Sequence, residues 1–158
     1  LYDQDPNGSC GLGSDQMSLG NSSGGWMNFM HLSSCNSVRY NQRTQWFDAA
    51  AGVHLVTGFH GWMYIGSKYV DEYRDLANYG MNTRGVGKAW LDYMHHVDHW
   101  YNSWKTVCPM SVGFGASQGA ASAQHDETYN AFWPNPVPNW MNVRWKSGCD
   151  PDDGPSLP

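Results

Sequence analysis

The run Trp26-Met27-Asn28-Phe29-Met30-His31-Leu32-Ser33-Ser34-Cys35 is apolar, short and closed by small polar residues. That is the pattern of a buried strand stopping at Cys35. Downstream, Val53-His54-Leu55-Val56-Thr57-Gly58-Phe59 has the same character and leads into the loop His60-Gly61-Trp62. Between them, residues 41–51 hold no Gly or Pro, end in three Ala and meet Gly52. This predicts a short helix with a glycine stop. Strand, helix, strand in that order predicts two parallel strands joined by a crossover.

Working outward, Ser67 can cap a helix running to Tyr79, with Asp71 and Glu72 in its early turns and Gly80 as its stop. A longer helix is predicted over 86–104, its buried face marked by Trp90, Tyr93, Met94, Val97, Tyr101 and Trp104 at three- and four-residue spacing. Residues 106–114 form a third strand, where Pro109 implies an edge or a bend. The glycine-rich segment 113–119 lacks the Lys-Ser/Thr ending of a phosphate loop and reads as the close of that strand. The chain thus divides into a Gly/Ser-rich loop segment over 1–25, an α/β core over 26–130, and a Pro/Trp-rich arm with an acidic tail over 131–158. The expected fold is α/β, a small mainly parallel sheet flanked by helices.

With 158 residues and a formal net charge of -5, the chain suits one domain. Leu, Ile, Val and Phe make up only about 15 % of it, below the roughly 20 % under which disorder is expected. Nine Trp, nine Tyr and eight Met supply the missing apolar surface, and four Lys and two Glu are too few for a solvated coil. There is no long apolar run to span a membrane, no basic surface for nucleic acid, and no heptad or repeat. Abundant Gly, Ser and Asn with scarce Lys and Glu point to export, and the sequons at Asn7 and Asn21 are candidate glycan sites. Cys10, Cys35, Cys108 and Cys149 allow three pairings if all are bridged, and they contain no C-x-x-C pair of a zinc ribbon.

Chemistry gathers outside the carboxyl ends of parallel strands, where Cys35 lies. His60 ends the neighbouring strand and is the in-chain candidate to activate that thiol. Backbone N–H groups after Cys35 are candidate oxyanion donors. Trp62 beside His60, and His31 on the same strand face as Ser33 and Cys35, are candidate binding residues. The competing reading makes Cys35 a packed thiol or half of a disulfide, most simply with Cys10. His95 and His99, one helical turn apart, have the spacing of a metal-binding pair, although no Glu stands beside His95 as in H-E-x-x-H. A polar helix flank explains the same residues. His54 reads as a hydrogen-bonded core residue, and His125-Asp126-Glu127 as a loop cluster. Trp133, Trp140 and Trp145 among prolines could instead present rings to a sugar face. No cofactor is expected.

The stretch from Trp26 to Gly66 resembles a family of secreted and cell-surface microbial proteins carrying a domain of unknown function. Its marks are the apolar strand ending Ser34-Cys35, then Trp46-Phe47, then Gly52-Val53-His54-Leu55-Val56-Thr57-Gly58-Phe59-His60-Gly61, with Ala89-Trp90 in the later helix. That family is in turn similar to the caspase–hemoglobinase group of cysteine peptidases. The likeness implies a nucleophilic Cys at position 35 and an imidazole from a preceding strand that ends in His-Gly. That strand would fall before Leu1, whereas His60-Gly61 follows the Cys. Two expectations result: a downstream chain whose upstream strands come from another chain, or a degenerate catalytic apparatus. The leading reading is a secreted cysteine-peptidase-like domain acting by acyl transfer at Cys35, with an upstream chain or self-association as partner and a polypeptide or glycan substrate. The alternatives are a non-catalytic extracellular structural or assembly protein and an aromatic-rich carbohydrate-binding module.

Overall fold

The computed structural model describes residues 16–20, 27–96, 106–131 and 133–158, with the backbone alone for Lys68. Its elements follow as β1 (Phe29–His31), α1 (Arg43–Ala49), β2 (Leu55–His60), α2 (Val70–Asn82), α3 (Val86–Tyr93), β3 (Cys108–Gly115), α4 (Gln118–Ala123) and β4 (Trp140–Trp145). The strands form one sheet in the order β1-β2-β3-β4. Every described residue of β2 and β3 is buried, as suits the two central strands, while β1 and β4 are only partly covered.

The sheet is mixed, which corrects the expectation of a mainly parallel one. β1 and β2 run parallel with Phe29 opposite Leu55 and His31 opposite Thr57. β2–β3 and β3–β4 are antiparallel. The direction follows from the connections. One helix between strands reverses the chain once and returns it parallel, as α1 does. The helix pair α2–α3 reverses it twice and delivers β3 antiparallel. After α4 the extended stretch leading to Trp140 carries the chain back, so β4 is antiparallel as well. β4 was not foreseen, because the prolines before it made the whole segment read as an arm.

Pro109 sits in a central strand rather than at an edge. The sheet tolerates it there for a geometric reason: the Phe114 N–H donates to the His54 carbonyl across β2–β3 at 3.1 Å. Alternation from that bonded pair turns residue 109 toward the β4 side, and β4 pairing stops at Met110. The missing donor of Pro109 therefore falls just beyond the end of β4.

Two cores sandwich the sheet. On one face Val56, Met110, Val112 and Phe114 pack with Trp46 and Ala49 of α1 and with Val38 and Val53. On the other, Phe59 packs with Leu76 of α2 and Ala89, Trp90 and Met94 of the α3 region. The predicted helix from 86 is α3, continued by a tighter turn over Met94–His96; Val97, Tyr101 and Trp104 lie outside the described residues. Gly80 does not stop α2, which runs on to Asn82. It is glycine for space, since a Cβ there would stand 2.7 Å from the Tyr129 ring.

Trp90 joins these layers. It is fully buried, its indole N–H donates to the Gly58 carbonyl at 3.1 Å, and its ring stacks on His31 with centroids 5.4 Å apart. Trp90→Ala is expected to cost about 3–5 kcal/mol of stability through the cavity and the unpaired carbonyl. The shift in urea midpoint measures it, and a loss under about 1 kcal/mol would contradict this role.

Candidate functional site

Because β1 and β2 are parallel, their carboxyl ends lie side by side. The turn after β1 carries Cys35, and the loop after β2 carries Gly61, Trp62 and Met63. Asn36 stitches the two. Its N–H donates to the Gly61 carbonyl at 2.8 Å, and its Oδ1 accepts the Gly61 N–H at 3.1 Å. Gly61 adopts φ +88°, a conformation that disfavours a side chain. Ser37 Oγ accepts the Phe59 N–H at 3.0 Å and donates to the Leu32 carbonyl at 3.2 Å, which pins the turn to both strands.

Cys35 is a free, exposed thiol. Its S–H reaches the Met63 carbonyl at 3.3 Å, and the Met63 N–H points at the sulfur from 3.4 Å. A thiolate would retain the second contact. Of the N–H groups following Cys35, those of Asn36 and Val38 are committed to the Gly61 and Phe59 carbonyls. They are not available as oxyanion donors.

The structure does not bring His60 to the sulfur. His60 is fully buried, its Nδ1 accepts the Tyr40 N–H at 3.2 Å, and its Nε2–H donates to the Pro155 carbonyl at 2.7 Å. His31 is also engaged at both nitrogens, with Thr57 Oγ1 at 2.6 Å and the Tyr129 hydroxyl at 2.7 Å. Burial pushes the Tyr129 phenol up to about 12, so it stays protonated beside His31. Burial also lowers His31 to about 4, so the ring is neutral. Among the described residues, no imidazole hydrogen-bonds Cys35.

The C-terminal tail closes over this end of the sheet. Trp62 N–H donates to the Asp152 carbonyl at 2.7 Å. Asp153 Oδ2 accepts from Asn36 Nδ2 at 2.7 Å, from the half-exposed Trp62 indole at 3.0 Å and from Arg39 at 3.3 Å. The Asn36 hydrogen bond, with Trp62 and Arg39 beside it, holds the Asp153 carboxyl below its ordinary value. The tail is tied at its base by a disulfide between Cys108 and Cys149.

A family model described as a domain of unknown function (DUF6345) matches residues 2–139, most of the chain. The chain belongs to the DUF6345 family. It matches no curated protein and no solved structure. The DUF6345 stretch holds the whole Cys35 turn, Arg39 and the Trp62 loop, and it stops just before β4 and the tail.

The DUF6345 core also holds a polar interior that sequence reasoning found only in part. His31, Thr57, Ser111 and Arg144 form one transverse row across the four strands. Ser111 Oγ donates to His125 Nδ1 at 2.8 Å, while His125 Nε2–H points to the Asn142 carbonyl at 3.3 Å. Burial, with Arg144 nearby, lowers His125 to about 3. His54 is a hydrogen-bonded core residue, bonded at 2.5 Å to Glu127 and at 3.1 Å to Asn135. Burial opposes charge on His54, but its bonds to Glu127 and Asn135 outweigh that and raise its pKa. The one available signal was that Glu127 is one of only two Glu in the chain.

The remaining candidates divide simply. Among the described residues no cluster of three or more His, Cys, Asp or Glu could hold a metal ion. His95 is described and packs, its ring tilted, against His96, whereas His99, Cys10, Asn7 and Asn21 lie outside the described residues. No described helix is long and apolar enough to cross a membrane.

His31 and His125 bind protons more weakly folded than their ordinary value of 6.5. The stability they contribute is complete above about 6.5 and is lost as pH falls through their folded values. Replacing His125 by Gln should therefore flatten the acid-side loss of stability by up to about 1.4 kcal/mol per pH unit. Urea unfolding of both proteins between pH 7 and about 4 reads this slope, and parallel profiles would refute it.

Proposed function

We propose that this chain is a secreted cysteine-peptidase-like domain in which Cys35 carries out acyl transfer. The observation that carries the reading is the free, exposed Cys35 thiol at the shared carboxyl end of the parallel pair, with the Met63 N–H directed at its sulfur. The thiolate adds to an acyl carbon, the carbon–nitrogen bond breaks, and the amine leaves with a proton delivered by an imidazole. Water then hydrolyses the thioester. His60 and His31 have both nitrogens engaged, so neither is that imidazole. The likeness of the Cys35 strand to the nucleophile strand of caspase–hemoglobinase peptidases supports this arrangement. The Cys108–Cys149 disulfide supports export, because such bonds persist in oxidising compartments.

A second reading, binding of a glycan, is favoured by Trp133. This exposed ring lines a cavity of about 390 Å³ together with Ala116, Ala120, Gln124 and Pro134. Tryptophan emission that responds to an oligosaccharide equally in the native and Cys35→Ser proteins would support it.

For the acyl-transfer reading, p-nitrophenyl acetate should leave one acetyl group on Cys35, seen by peptide mass mapping. After subtraction of the protein-free imidazole rate, turnover should be slow and should rise with free imidazole, with both effects absent from a folded Cys35→Ala variant. Acetylation confined to lysines, or a background-corrected imidazole response unchanged in that variant, would refute the reading.

A further inference from the structure

The tail touches the Cys35 end of the sheet in the manner of a bound peptide. A main-chain carbonyl of the tail, that of Asp152, accepts the Trp62 N–H at 2.7 Å, and a second, that of Pro155, accepts His60 Nε2–H at 2.7 Å. Between them one carboxylate oxygen, Asp153 Oδ2, draws three separate N–H donors from Asn36, Trp62 and Arg39. Main-chain pairing with one side chain read in a fixed cradle is how extended peptides are recognised.

Stability alone does not account for this contact. The Arg39 and Asp153 side chains are 29 % and 47 % exposed, and exposed pairs contribute little. Both partners of the Asn36–Asp153 bond also sit at positive φ, +55° and +62°, and they are the non-glycine residues so placed among those described. Backbone strain gathers where a recognition geometry has to be held. The cradle residues Asn36, Arg39 and Trp62 all lie within the family match, whereas the tail that fills the cradle lies beyond it.

We propose that Asn36, Arg39 and Trp62 form a subsite for an acidic side chain of an extended polypeptide, and that Asp153 occupies this subsite in cis as a built-in competitor. The proposal deepens the reading of Cys35 as a nucleophile by naming the kind of substrate presented beside it. Binding itself needs no reaction at the thiol, so the two stand or fall separately.

The test is made on the full chain carrying Cys35→Ser, which removes any chemistry. The probe is a fluorescein-labelled peptide with the tail sequence Asp-Pro-Asp-Asp-Gly-Pro, followed by fluorescence anisotropy. Adding Asp153→Ala should tighten peptide binding by about tenfold or more, and adding Asn36→Ala with Arg39→Ala should abolish it. A peptide with Asn in place of its second consecutive Asp should bind no better than background. If Asp153→Ala lowers the urea midpoint markedly, the near-isosteric Asp153→Asn takes its place and the same gain is expected. Equal binding to the proteins with and without Asp153, or no binding to either vacated variant, would overturn the proposal. Failure of the acetylation assay with intact peptide binding would leave the subsite standing and remove only the catalytic reading.

Discussion

The parallel pairing of β1 with β2 is the constraint on which the rest depends. Its register puts His31 opposite Thr57, and that places the imidazole within reach of the Thr57 hydroxyl, Tyr129 and the Trp90 face. A slip of one residue would turn His31 to the opposite face and send Met30 into a polar row. The same pairing brings the carboxyl ends of two strands together, so that the Cys35 turn and the Gly61–Met63 loop can be stitched by main-chain bonds. No other pair of strands in this sheet ends at one place in that way, because both remaining pairings are antiparallel.

The interior combines Val and Leu side chains with aromatic rings, and this has a chemical consequence. Rings meet rings at several points: Trp90 against Phe59 and His31, and Tyr129 against Phe29. Rings with polar atoms need partners when buried, and the chain supplies them in pairs. Ser111 serves His125, Thr57 and Tyr129 serve His31, and Glu127 with Asn135 serves His54. These histidines consequently act here as framework. Four of the seven histidines, His31, His54, His60 and His125, are engaged in this way, and none of the described histidines hydrogen-bonds Cys35.

Much of the fold was legible because its signals are local. The apolar runs around Phe29 and Leu55, the alanine-ended helix before Gly52 and the Trp90 stripe each declare an element within a few residues. Strand direction is a different kind of fact. It depends on how many helices intervene and how they fold back, which no residue of β3 records. β4 was hidden by Pro134, Pro136 and Pro138 on one side and by its own exposed Trp140 on the other. Within the site, the position of Cys35 at a strand end could be read from sequence, but the separation of Cys35 from His60 could not. His60 stands opposite Cys108 in the register and its ring is claimed by Tyr40 and by Pro155, 95 positions away in the chain. The Asn36–Asp153 contact spans 117 positions, and nothing local announces it.

The central claim is that Cys35 is an accessible, reactive thiol at a built site and not a packed one. The most direct measurement is brief iodoacetamide treatment of the native protein near neutral pH, followed by reduction, a second label and peptide mapping. The account predicts that Cys35 carries the first label, while Cys108 and Cys149 take only the second, after reduction. A Cys35 that stays unlabelled until the protein is unfolded, or that is found in a disulfide, would contradict it.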